Sequence, residues 1–215
     1  MKEHLRRWAF KTLLIIGPLA HGQTPIWIDP GHGGSDPGTV SLAGVPEKEL
    51  VLDIALWMAE SAKNGLDIGY PILLTRYRDT LISLTDRGLL PKMVWAKAIV
   101  SIHMNHSPNP LAKGIEVHIH RRGGPSERLA QKLVADLVVK LGMESRGIRT
   151  GDFQILREAP KDIPVLLVEL GFLSHPEESR FLSTPLARKA LAMILMEGLR
   201  DFFDNHNSME RKTYR

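Results

Sequence analysis

The chain has 215 residues, 43% of them hydrophobic and 24% charged, enough to bury one sizeable core and short for two domains of ordinary size. Its formal charge of +4 comes largely from Lys2, Arg6, Arg7 and Lys11, and beyond residue 22 acids and bases nearly balance, with no basic run interleaved with aromatics. That pattern argues against nucleic-acid binding, and the lack of any cysteine excludes a thiol nucleophile, a cysteine-held metal, a disulfide framework and a lipoprotein anchor.

In chain order, residues 1–22 read as a secretory signal peptide: a basic stretch through Arg7, an apolar stretch from Trp8 to Leu19, then small residues at Ala20 and Gly22. The apolar stretch is too short for a permanent membrane anchor, so the expected location is periplasmic or secreted. Residues 23–203 read as one α/β domain, because short β-branched runs alternate with stretches of helical period. The expected strands are 26–29, 72–75, 99–103, 114–120, 153–156 and 165–169, which make a central, mostly parallel, twisted six-stranded sheet with helices on both faces. A first helix is expected over Glu47 to Ala62 after Pro46, and a second over Ser126 to Leu141 with Gly142 as its stop. A last helix is expected from about Pro185 to Phe203, and residues 204–215 lose the apolar period and read as a disordered polar tail.

The chemistry concentrates in Ile28-Asp29-Pro30-Gly31-His32-Gly33-Gly34-Ser35-Asp36-Pro37-Gly38, a turn-rich segment directly after the first expected strand. No Lys-Ser/Thr pair follows it and no helix starts immediately, so a phosphate cradle does not fit. His32, His103 and Glu169 each fall at the carboxyl end of an expected strand, the edge where open α/β sheets bind ligands. Glu47, at the start of the next helix, is placed to join them. Two histidines and a carboxylate suit a catalytic zinc, yet seven histidines lie beyond residue 22 and spacing alone does not choose among them.

Five ordered motifs carry a resemblance: Asp29-Pro-Gly-His-Gly-Gly, Glu47-Lys48, Leu74-Thr75-Arg76, Ser101-Ile102-His103, and Val168-Glu169-Leu170-Gly171-Phe172-Leu173-Ser174. Over about residues 25–203 the chain resembles the zinc-dependent N-acetylmuramoyl-L-alanine amidases, which cut stem peptides from the glycan of peptidoglycan. The resemblance implies one zinc ion held by His32, Glu47 and His103, with Glu169 as the catalytic carboxylate. It also implies peptidoglycan as the substrate. Some relatives carry an inserted helix that blocks the zinc site until an activator moves it; His120 leads within a few residues to the next helix, so no activator is expected here. Two other readings remain at this stage, a zinc peptidase or deacetylase on smaller cell-wall fragments and a peptidoglycan binder without catalysis; the four intact site residues speak against the second.

Several other residues carry weaker expectations. Glu116, His118 and His120 alternate along one strand face, either as a second metal site or, more in keeping with their types, as a polar cleft wall in which Glu116 touches substrate. His106 is either a substrate contact or an exposed loop histidine. Asp29 is expected to hydrogen-bond a ligand histidine, and Asp86 and Arg87 to form surface pairs. Met104, Pro91 and His175 depart from the usual pattern of the family without touching a proposed ligand.

Overall fold

Side chains alternate along the strands between two apolar layers, one on each side of a twisted sheet. The computed structural model describes residues 14–16, 24–66 and 68–213. Its strands are β1 (Leu14–Ile16), β2 (Ile26–Pro30), β3 (Ile72–Leu74), β4 (Ala98–Asn105), β5 (Ile115–Ile119), β6 (Ser145–Thr150) and β7 (Val165–Phe172). Its helices are α1 (Glu47–Lys63), α2 (Leu84–Met93), α3 (Pro125–Leu141), α4 (Gln154–Glu158), α5 (Pro176–Leu182) and α6 (Pro185–Thr213). The sheet runs β1-β3-β2-β4-β7-β5-β6. The β2/β3, β2/β4, β4/β7 and β5/β6 pairs are parallel, and β1/β3 and β5/β7 are antiparallel.

The broad face of the sheet carries Ile28, Val100, Ile102, Val117, Val168 and their neighbours, buried under α1, α3 and α6. The other face starts with Trp27, Leu73, Ile99, Val165 and Leu167, covered by Ile155, Leu156 and Ala159 of the α4 region and by the residues that close α2. Further along the same strands this second face turns polar, at Asp29 on β2, Ser101 and His103 on β4, Glu169 on β7 and Glu116 on β5. Two short helices roof only part of that face. The candidate site occupies the remainder.

The α/β class, the mostly parallel sheet and helices on both faces agree with expectation, as do α1, α3 and the stop at Gly142, which caps α3 in the left-handed conformation with φ 66°. Three expectations are corrected. Residues 153–156 do not form a strand: Phe153 precedes α4, whose Ile155 and Leu156 pack into the smaller core layer. The fifth strand from Ile26 onward is instead β6, whose Ser-Arg-Gly-Ile-Arg-Thr lacks an apolar period because it lies on the exposed edge of the sheet. The polar segment after Phe203 continues α6 to Thr213, since it has no proline or glycine to stop a helix already nucleated on the core. The expected leader, residues 1–22, lies outside the described residues except for Leu14–Ile16, which pairs antiparallel with β3 as a seventh strand.

Candidate functional site

The residues after β2 form a loop whose backbone folds back on itself. His32 has φ 58°, a left-handed value costly for a residue with a Cβ, and Gly33 and Gly34 follow with φ 124° and 59°. Two buried arginines hold this path. Arg76, after β3, donates from Nε to the Pro30 carbonyl at 3.1 Å and from Nη2 to the carbonyls of Gly31 at 2.7 Å and Lys48 at 2.8 Å. Arg87, on α2, donates to the carbonyls of Pro30 and His32 and pairs with Asp29 Oδ1 at 2.6 Å. Asp29 also accepts from Ser101 Oγ at 2.7 Å. Burial pushes the Asp29 carboxyl up, but Arg87, Thr75 and Ser101 outweigh it and hold the group below the ordinary Asp value.

Two sequence expectations change here. Arg87 is a buried brace of the loop, not a surface pair, and Asp29 bonds Arg87 and Ser101 rather than a histidine. The carboxylate that holds a candidate ligand histidine is Asp36, whose Oδ2 lies 2.8 Å from His32 Nδ1. Its position four residues after His32 in the same loop was the available signal.

His32, Glu47 and His103 converge. Glu47, at the first position of α1, places Oε1 3.1 Å from His32 Nε2 and 3.1 Å from His103 Nδ1. The same oxygen accepts the Met104 N–H at 2.9 Å, at the irregularity where β4 slips against β7, and Oε2 accepts the Thr39 N–H at 3.0 Å. Burial pushes the Glu47 carboxyl up, but the bonds to His103 and His32 prevail and hold it at about 2. His32 is raised by Glu47 and Asp36 against the opposing effect of its burial. Glycine is required at two nearby positions. A Cβ on Gly31 would stand 2.2 Å from His103 Cε1, and one on Gly38 would stand 2.5 Å from Glu47 Oε2.

One donor atom from each of these three residues lies within 4.8 Å of the others, a group able to hold a metal ion. The 3.1 Å separations are close to the edge of about 3.3 Å that a tetrahedral ion with ligand bonds near 2.0–2.1 Å requires. Asp36 on Nδ1 of His32 leaves Nε2 as the atom turned toward the others, the arrangement that fixes a ligand histidine's tautomer.

Glu169 stands beside this group. It is paired in register with His103 of β4 on one side and with Glu116 of β5 on the other. Its Oε2 is buried without a hydrogen-bond partner among the described residues. Burial, followed by the nearby Glu47 and Glu116 carboxylates, outweighs the opposing effect of His103 and His32 and pushes the Glu169 carboxyl up to about 7. A cavity of about 460 Å³ opens over the four residues, walled by Leu81, Leu84, Phe153, Ile155 and Leu167.

The outlying candidates distribute differently. His106 is a loop residue whose Nδ1 lies 3.1 Å from Thr39 Oγ1, at the rim. Glu116 is nine-tenths covered and pairs with Arg146, Arg149 and His118. Among the described residues Glu116, His118 and His120 form no metal-holding group; the His118 ring instead packs edge-on against Phe153 at 4.9 Å.

Residues 26–201 match the family model described as N-acetylmuramoyl-L-alanine amidase. The chain belongs to that amidase family. It is 33% identical over 181 residues to the probable cell wall amidase LytH of Staphylococcus epidermidis, a match that covers 84% of this chain and 58% of the relative. The chain thus spans rather more than half the length of the LytH protein it matches. Among solved structures, an N-acetylmuramoyl-L-alanine amidase from Clostridium difficile 630 is 34% identical, with a TM-score of 0.78, over 85% of this chain and 97% of that one. The CwlD amidase of Clostridioides difficile, solved in complex with the GerS lipoprotein, shares the fold at 24% identity and a TM-score of 0.77, over 84% of this chain and 98% of that one.

Proposed function

We propose that this chain hydrolyses the amide between N-acetylmuramic acid and L-alanine in peptidoglycan, using one zinc ion held by His32, Glu47 and His103. The observation that carries the reading is the pairing of a three-residue metal group with a buried, unpartnered carboxylate one strand away, Glu169 beside His103. The donor set suits zinc in kind and spacing. Zinc bound there would polarise the scissile carbonyl and lower the pKa of a water molecule.

This chain's own residues supply the rest. Glu169, whose carboxyl burial pushes up to about 7 in the metal-free protein, accepts a proton from the attacking water as the new C–O bond forms. It returns that proton to the alanine nitrogen as the C–N bond breaks, leaving a carboxylic acid on the sugar's lactyl arm and an amine on the stem peptide, which then exchange a proton to give carboxylate and ammonium. Arg76 and Arg87 keep the His32 loop in its costly conformation, and Gly31 and Gly38 leave room for His103 and Glu47. The cavity's apolar walls keep bulk water from the reacting atoms.

Export to the cell wall follows from the substrate and is supported by the leader-like composition of residues 1–22, of which Leu14–Ile16 also adds an edge strand to the sheet. Among the described residues no helix is long and apolar enough to cross a membrane. Independence from an activator is supported by the short link between β5 and α3, where residues 120–124 leave no room for a blocking helix. The deciding experiment is digestion of purified peptidoglycan with and without a zinc chelator, read by mass spectrometry. Stem peptides with free L-alanine amines, lost on chelation, support the assignment; zinc-loaded protein that leaves the wall intact refutes it or restores the need for an activator.

A further inference from the structure

Next to Glu169, on the side away from His103, the sheet presents a charged group that the hydrolytic step does not use. Glu116 lies opposite Glu169 in the antiparallel β5/β7 pair, so the two side chains share a face about 5 Å apart at the backbone. Oε2 of Glu116 receives Nε of both Arg146 and Arg149 at 3.1 Å, and Oε1 lies 3.0 Å from His118 Nε2. Arg146 is also seated over the Phe172 ring, with Cζ 5.0 Å from its centroid. Both arginines come from β6, the edge strand, and their side chains remain 35% and 53% exposed while Glu116 is only 10% exposed.

The charge count there does not close. Glu116 pairs with two guanidinium groups, so this ion cluster by itself carries a unit of positive charge. Each arginine contacts Glu116 through Nε, and the terminal Nη groups of both are without a hydrogen-bond partner among the described residues. A planar guanidinium braced at one edge and open at the other is suited to a carboxylate. The spacing is of the right order for the substrate class. Both arginines start from β6, two strands out from Glu169, but their Nε atoms reach Glu116 on β5, one strand spacing of about 4.8 Å from β7, and the peptide residue after alanine begins one Cα step of about 3.8 Å beyond the alanine.

We propose that Arg146 and Arg149, braced by Glu116, bind the free α-carboxylate of the stem-peptide residue that follows alanine. This inference rests on the amidase reading above. It makes the two arginines specificity-determining residues, with Glu116 a positioning residue, and it assigns β6 to substrate recognition.

The test uses the zinc-loaded full chain and two muramyl tripeptides that differ only in whether that α-carboxylate is free or amidated. The wild type should favour the free carboxylate by roughly ten-fold or more in kcat/KM, mostly through KM. An Arg146→Gln, Arg149→Gln, Glu116→Gln triple variant, which removes Glu116's charge together with its two partners, should bring the ratio to about one while its zinc content equals the wild type's. An Arg146→Lys, Arg149→Lys variant, which keeps the charge and loses the fork, should retain part of the preference. Equal rates for the two peptides in the wild type, or an undiminished preference in the triple variant, overturn the inference and leave the amidase reading intact. A wild type that cleaves neither peptide, and releases no stem peptides from the wall, overturns both.

Discussion

On the broad face of the sheet, Leu133 and Leu137 of α3 and Leu191, Leu195 and Leu199 of α6 sit fully buried against Val100, Val117 and Val168. On the opposite face, α2 and the one-turn α4 cover Trp27, Ile99 and Leu167, and leave His103 and Glu169 under a cavity. The same strands supply both faces, one residue apart. The first face holds the sheet together by apolar burial, while the second carries unfavourable features: a buried carboxylate without a partner and a histidine at positive φ. The site is affordable only because its polar residues hang from strands fixed on the other side.

The largest effect should come from removing the chemistry without disturbing the scaffold. Glu169→Gln should lower the release of stem peptides by about 10³-fold, measured with matched zinc content. In the metal-free protein the same change should raise stability. A carboxyl whose folded pKa of about 7 exceeds its unfolded value of about 4.3 destabilises the fold above the latter, increasingly up to the former. The gain should therefore be absent below about pH 4 and level off above about pH 7, at no more than about 4 kcal/mol, as read by chemical denaturation across pH.

Next in size is a direct contrast of the faces. Leu133→Ala, on the crowded side, should cost about 4 kcal/mol, and Ile155→Ala, under the thin roof where neighbours can settle, about 2 kcal/mol. Equal losses in urea titration would remove the distinction drawn between them.

Asp29→Asn strands the buried Arg87 and should cost about 3 kcal/mol near neutral pH. Because the Asp29 pKa is lowered on folding, its contribution is fully present above the unfolded value of about 3.9 and disappears as pH falls through the folded value. The wild type and the variant should accordingly converge in stability in strong acid, which acid denaturation measures.

The smallest effect is confined to the metal group. Gly31→Ala drives a methyl against the His103 ring and should weaken zinc affinity roughly ten- to a hundred-fold, read by competition with a chelating dye.

The central strands were legible in the sequence because parallel strands buried on both sides appear as short, nearly continuous apolar runs, as in Val165 to Val168. The helices α1 and α3 were legible through their three- and four-residue spacing. The β6 edge strand was not, since neither of its faces is buried enough to impose a period, and the apolar run at 153–156 that took its place is the buried side of α4. At the site, the four residues named from the motifs meet in space. Their supports were harder to read: Arg87 looked like any surface charge beside Asp86, and only the fold shows it reaching 58 positions back in the chain to Asp29. Asp29 itself was noted, but its partner was misjudged for the same reason.

The four residues at the centre come from the loop after β2, the start of α1, the end of β4 and the end of β7, and Glu47 meets a histidine 56 positions further along the chain. Such contacts form late in folding, because each requires closing a long loop before any compensating burial is gained. The metal group and Glu169 stand together only where β7 lies beside β4. The proposed hydrolysis therefore depends on a pairing between distant parts of the chain, and its activity would serve as a readout of completed folding.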